Sequence, residues 1–221
     1  MTAKNQFRYD MVIFDVGGTL LAFHEQAPFQ EFLAQAGLPA TEQDARRFHR
    51  RLISVILAER DRAQGLGADE RELDAWWLGI FEQTWPQRPD LAGEMLRWLE
   101  ENRFNRTFSD ALPALASLQR LGLPMAVLSN WGTHLRDSLR HFDLLHYFQF
   151  VIVSSEVKLA KPDRRIFDLA AEQAGHPRQR LLYVGDHVGD DIESAWGAGL
   201  DAVLIDRRDR QPEALCPRIG S

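Results

Sequence analysis

Five short, largely apolar runs recur along this chain, MVIFDV (11–16), PMAVLSN (124–130), FQFVIVS (148–154), RLLYVGD (180–186) and LDAVLID (200–206), and the first, rich in β-branched and aromatic residues, is apolar on both faces. A strand that alternates apolar and polar residues can face water on one side. MVIFDV does not alternate, and a strand apolar on both faces needs helices on both sides of its sheet. Helical stretches near 132–142, 163–174 and 188–198 separate the last four runs, and a further one ends at Leu121. Ser109 or Asp110 is the candidate cap of that helix, Gly122 its left-handed stop, and Asp163 the cap of the helix near 163–174. This alternation predicts an α/β fold with a doubly wound, parallel, Rossmann-like sheet.

One interruption breaks the pattern. From about 25 to 104 apolar residues recur at helical spacing, as in Phe48, Leu52, Val55, Ile56 and then Leu73, Trp76, Trp77, Ile80, Phe81. GLPAT (37–41), GLGAD (65–69) and PQRPD (86–90) divide the stretch into about four helices with no strand between them. The expected division is an α/β core domain of residues 1–22 and 105–221, with an inserted α-helical domain of residues 23–104. Trp76, Trp77, Trp85 and Trp98 read mainly as packing of the insert, and ARRFHRR (45–51) as a solvated helix face.

Composition narrows the partners. The formal net charge of −6 lacks the concentrated Lys and Arg by which proteins meet nucleic-acid or membrane phosphates, so neither nucleic acid nor membrane is an expected partner. The single cysteine, Cys216, excludes an internal disulfide and a CxxC metal site. The polar start MTAKNQFRYD carries no apolar signal run, and RDRQPEALCPRIGS at the end reads as a loosely held tail. A cytoplasmic protein is the expectation.

In an open parallel sheet the ligand crevice lies beyond the carboxyl ends of the strands. Asp15 ends the first run, Ser129 and Asn130 the second, EVKLAKPD (156–163) follows the third, and Gly185-Asp186 end the fourth. Singly each is ordinary turn or cap chemistry. In this order, DVGGT (15–19), LSN (128–130), Lys161 in LAKPD and GDHVGDD (185–191) resemble the four motifs of the haloacid dehalogenase-like (HAD) hydrolase superfamily over nearly the whole chain, and the insert resembles that family's helical cap. The resemblance implies a phosphatase acting on a small phosphorylated molecule. Asp15 would be the nucleophile, carrying a transient aspartyl phosphate. Mg2+ would be held by Asp15, the carbonyl of Gly17, Asp186 and, through water, Asp191, with Asp190 as the alternative to Asp191. Ser129 would bind a phosphoryl oxygen and Lys161 would offset the gathered negative charge, while Gly18, Thr19 and Asn130 shape and position the phosphate site.

Gly17 departs from the pattern. The family's phosphatases carry there a second Asp that protonates the leaving alcohol, a contribution of typically ~10²–10⁴-fold. His24 and His187 are candidate substitutes. Substrates with good leaving groups, or a catalytically impaired phosphate-binding protein, are the alternatives. The family's 2-haloacid dehalogenases also lack that acid, but they use no metal and lack the acidic GD pattern of motif four. DVGGT is also similar to the phosphate loop of actin-like sugar kinases; those continue into β-hairpins, whereas this chain turns to helices.

Overall fold

The computed structural model describes residues 7–59, 63 and 65–206. The start 1–6 and the tail 208–221, with Cys216, lie outside the described residues. The chain runs through β1 (Met11–Phe14), β2 (Leu21–Phe23), α1 (Ala27–Gln35), α2 (Glu42–Glu59), α3 (Glu70–Thr84), α4 (Ala92–Glu100) and β3 (Asn105–Thr107). It continues with α5 (Ala111–Arg120), β4 (Met125–Ser129), α6 (Leu135–His141), β5 (Val151–Val153), α7 (Ser154–Val157), α8 (Arg164–Ala174), β6 (Leu181–Gly185), α9 (Ser194–Gly197) and β7 (Asp201–Leu204).

Five strands form one sheet in the order β5-β4-β1-β6-β7, and every pairing is parallel. The double apolar face of β1 has the expected consequence. Met11 and Ile13 join the core on one side of the sheet with Phe167 of α8, while Val12 and Phe14 join the other with Leu115 of α5 and Leu139 of α6. Successive side chains of a strand point to opposite faces, so burying both requires helices on both. Local signals set the helix ends: the Asp163 carboxylate accepts from Arg165 N–H at the start of α8, and Gly175 closes it at φ +66°. Gly122 closes α5 at φ +71° as expected, but Asp110 stands at the N-cap of α5 with no side-chain capping bond.

The helices α1 to α4 are inserted between β2 and β3, an antiparallel pair with Leu21 opposite Thr107 and Phe23 opposite Asn105. Sequence periodicity does not announce this ribbon, because three residues hold too few alternations to register. The insert has its own apolar cluster. Phe29, Phe32, Phe48, Phe81, Trp98 and Phe104 meet there, with the Phe29 and Phe104 rings stacked 4.8 Å apart, and Trp76, Trp77 and Trp85 pack on it as expected. Arg46, Arg47, Arg50 and Arg51 stay exposed, so the basic run is a solvated face.

The stretch near 188–198 departs from a plain helix. Val188–Glu193 form a π-helical turn before α9 begins. The wider turn lies directly after the GD pair, where it sets the direction of Asp190 and Asp191. No helix among the described residues is long and apolar enough to cross a membrane.

Candidate active site

Because β4 and β6 flank β1 on opposite sides, the carboxyl ends of these three strands meet at the point where the strand order reverses. Asp15 follows β1, Ser129 ends β4, and Gly185 and Asp186 end β6. The loop after α7 delivers Lys161 to the same place. Asp15, Ser129, Lys161 and Asp191 are all buried there, at 5%, 1%, 3% and 1% exposure.

The Lys161 ammonium is the hub. Its Nζ donates to Asp15 Oδ1 at 2.7 Å, to Asp191 Oδ1 at 2.5 Å and to the Tyr183 hydroxyl at 3.0 Å, using all three of its protons. Tyr183 in turn donates to the Leu128 carbonyl at 2.9 Å. Ser129 Oγ donates to Asp15 Oδ1 at 3.0 Å, so both of these bonds to the Asp15 carboxylate fall on one oxygen. Oδ2 accepts no side-chain hydrogen bond among the described residues.

Asn130 is spent on Lys161: its Nδ2 donates to the Lys161 carbonyl at 2.9 Å and its Oδ1 accepts Lys161 N–H at 2.8 Å. This two-point clamp fixes the lysine backbone. The Asp191 Oδ2 atom accepts the N–H groups of Asp186 and His187 at 3.0 and 2.9 Å. Gly185 permits that approach, since a Cβ there would stand 2.3 Å from Asp191 Oδ2. Gly18, at φ +78°, makes the same allowance on the other side, where a Cβ would stand 2.4 Å from Asp186 Oδ2. Thr19 is fully buried in the turn that begins at Val16.

The electrostatics follow from three acids and one base, all but Asp186 buried. Burial pushes the Asp15 carboxyl up to about 6, opposed by Lys161 and reinforced by Asp191 and Asp186. Burial also disfavours the Lys161 ammonium, but Asp15 and Asp191 outweigh it and hold the lysine charged, well above its ordinary range. Asp15, Asp186 and Asp191 each offer a carboxylate oxygen within 4.8 Å of the others. A cavity of about 410 Å³ nearby, between Gly65 and Ala68 of the insert and the 158–163 loop with the first turn of α8, is lined by none of these carboxylates.

A family model for haloacid dehalogenase-like hydrolases matches residues 9–199. This chain belongs to that family. It is a hydrolase whose parallel sheet, with helices on both faces, is the HAD fold. Among its relatives is haloacid dehalogenase-like hydrolase domain-containing protein 3 of Danio rerio, 32% identical, the match covering 92% of this chain and 88% of that protein. A phosphoserine phosphatase of Thermus thermophilus is 35% identical over 63% of this chain and 61% of its own length. In fold it is similar to the magnesium-bound HAD-hydrolase YfnB of Bacillus subtilis, with a TM-score of 0.67 at 22% identity, covering 90% and 89% of the two chains.

The two histidines read as candidate substitutes for the motif I acid lie in different parts of this HAD-like hydrolase. His24 follows β2 at the base of the insert, where its backbone N–H donates to the Phe104 carbonyl and burial, then Arg106, holds its imidazole below the usual range. His187 accepts Asp190 N–H on Nδ1 at 2.9 Å, capping the π-helical turn. Gly17 itself bridges to Leu21, and the ring of Trp131 lies over it.

Sequence reasoning missed Tyr183, Trp131 and Glu70. Tyr183 carried a signal, since a tyrosine inside an apolar strand needs a partner for its hydroxyl. Glu70, at the start of α3, accepts Thr133 N–H at 2.9 Å and the Thr133 hydroxyl at 2.6 Å, tying the insert to the loop after β4. A link across 63 positions leaves no local pattern to read.

Proposed function

We propose that the protein is a Mg2+-dependent phosphatase of a small phosphorylated molecule, working through an aspartyl phosphate on Asp15. The observation that carries this is the meeting of Asp15, Asp186 and Asp191 around one buried lysine. With all four groups ionised, three carboxylates and one ammonium leave two negative charges uncompensated. Hard oxygen donors with that deficit suit a divalent cation of the Mg2+ kind. Asp15, Asp186 and the Gly17 carbonyl would hold it, and Asp191, already accepting from Lys161 and two backbone N–H groups, would serve it through water. When bound, the ion supplies charge neutralisation that lets a dianionic phosphoryl group approach a carboxylate.

The chain's own residues do the rest. Asp15 Oδ2 attacks phosphorus while Oδ1 stays fixed by Ser129 and Lys161. The Ser129 hydroxyl and the Lys161 ammonium then lie beside the transferring group, where they stabilise its oxygens. Asn130 keeps Lys161 in register through the backbone, and Gly18 and Thr19 form the turn beneath the phosphate. The phosphatase name of the Thermus relative supports phosphoryl transfer as the chemistry.

The test is a panel of phosphate esters, with and without Mg2+, for wild type and Asp15→Asn. Turnover that requires Mg2+ and disappears in Asp15→Asn is expected. Hydrolysis surviving Asp15→Asn, or untouched by chelation, removes this mechanism. Chloride release from 2-chloropropionate without Mg2+ would support a dehalogenase instead.

A further inference from the structure

Gly17 does not adopt the left-handed backbone region, so nothing in its main-chain conformation calls for glycine. What restricts it is space. A Cβ at this position would stand 3.2 Å from Cζ3 of Trp131, closer than ordinary van der Waals contact, and further side-chain atoms would compete with the same ring.

The ring is tethered. Trp131 Nε1 donates to His134 Nε2 at 2.9 Å, its backbone N–H donates to Ser154 Oγ at 3.0 Å, and its carbonyl accepts from Ser155 N–H at 3.4 Å. The next residues are pinned in turn by the Glu70 carboxylate at the start of α3. The indole is partly buried against the apolar cluster on that side of the sheet.

Resting on the phosphatase reading above, we propose that Trp131 is a specificity-determining residue, which fills the space a proton-donating side chain at position 17 would need and so restricts the hydrolase to phosphoryl donors whose leaving group departs as a stable anion, namely acyl and aryl phosphates. In the first step an Asp15 oxygen bonds to phosphorus, and the bond from phosphorus to the leaving oxygen breaks with its electron pair. The carboxylate or phenolate leaves without a proton. In the second step water attacks phosphorus, the Asp15–phosphorus bond breaks, the carboxylate is restored, and both water protons end on the released phosphate. Simple alkyl phosphates fail at the first step, because an alkoxide is too basic to leave unprotonated.

The experiment combines two readouts on the whole chain. Turnover with Mg2+ is measured on acetyl phosphate, a series of substituted phenyl phosphates and a series of alkyl phosphates, for wild type, Gly17→Asp, Trp131→Ala and the double variant. Wild type is expected to slow steeply as the leaving group becomes more basic, and Gly17→Asp alone to remain steep. The double variant is expected to flatten the dependence, with alkyl phosphates gaining at least ~10²-fold. In the second readout, melting midpoints of Gly17→Ala, Trp131→Ala and their double variant are compared. The methyl group should lower the midpoint in the wild-type background and much less in the Trp131→Ala background, so the two losses are not additive.

A flat wild-type dependence, a flattening in Gly17→Asp alone, or additive midpoint losses would each overturn the inference. The alanine cycle and the wild-type dependence read it even if the aspartate variants do not fold. Turnover with a flat dependence removes this inference and leaves the phosphatase standing. No turnover of any phosphoryl donor removes both.

Discussion

Replacing Lys161 with Met leaves the Asp15 and Asp191 carboxylates buried without the cation that both contact. Removing one partner of a buried ion pair typically costs about 3–5 kcal/mol, because the remaining charge cannot return to water. Met matches the aliphatic stem, so lost packing contributes little. For a chain of this length each kcal/mol moves the melting midpoint by about 2–4 °C, which places the expected drop at roughly 6–20 °C. The deficit also depends on pH. Asp15 already sits at about 6, and without the opposing pull of Lys161 it rises further. An acid raised in the folded state keeps its full stability below the unfolded value and loses it as pH rises through the folded one. The gap between Lys161→Met and wild type should therefore open above about pH 6 and narrow at pH 5. Urea unfolding in the presence of a chelator, at intervals from pH 5 to 8, measures it. A deficit below ~1 kcal/mol, or one that stays constant across that range, refutes the idea of a lysine holding together buried like charges.

Two further outcomes follow from single contacts. Gly185→Ala puts a methyl group 2.3 Å from Asp191 Oδ2, displacing a carboxylate held by two backbone N–H groups; a loss of about 1–3 kcal/mol is expected in chemical denaturation, against an unchanged midpoint if Asp191 can simply move aside. His134 is held below its ordinary value by burial, with Glu70 and Asp74 pulling the other way, and its Nε2 must stay unprotonated to accept the Trp131 proton. Because the unfolded state takes up the proton first, stability should fall as pH drops below about 6.5, and His134→Gln should lose that dependence on a thermal scan.

The Asp15 strand end, the Lys161 loop and the GD turn were legible because each candidate residue lies at or beyond the carboxyl end of an apolar run, and parallel sheets put those ends together. The insert was legible by its period, and its tryptophans by their spacing. The β2–β3 ribbon was not, since a three-residue strand has no measurable alternation. Nor was the π-helical turn at Val188–Glu193, whose apolar spacing passes for that of an ordinary helix.

By itself the sequence supplied the candidate site residues, because charge and nucleophilicity belong to residue types, and their order along the chain survives folding. It also showed that position 17 lacks an acid. Only the tertiary structure decided what stands in its place. Trp131 meets Gly17 from a distant part of the chain, and Lys161 meets Asp15 and Asp191 across 146 and 30 positions. Such contacts are set by how strands β1, β4 and β6 are ordered in the sheet and by the close packing above it, and short-range periodicity contains neither.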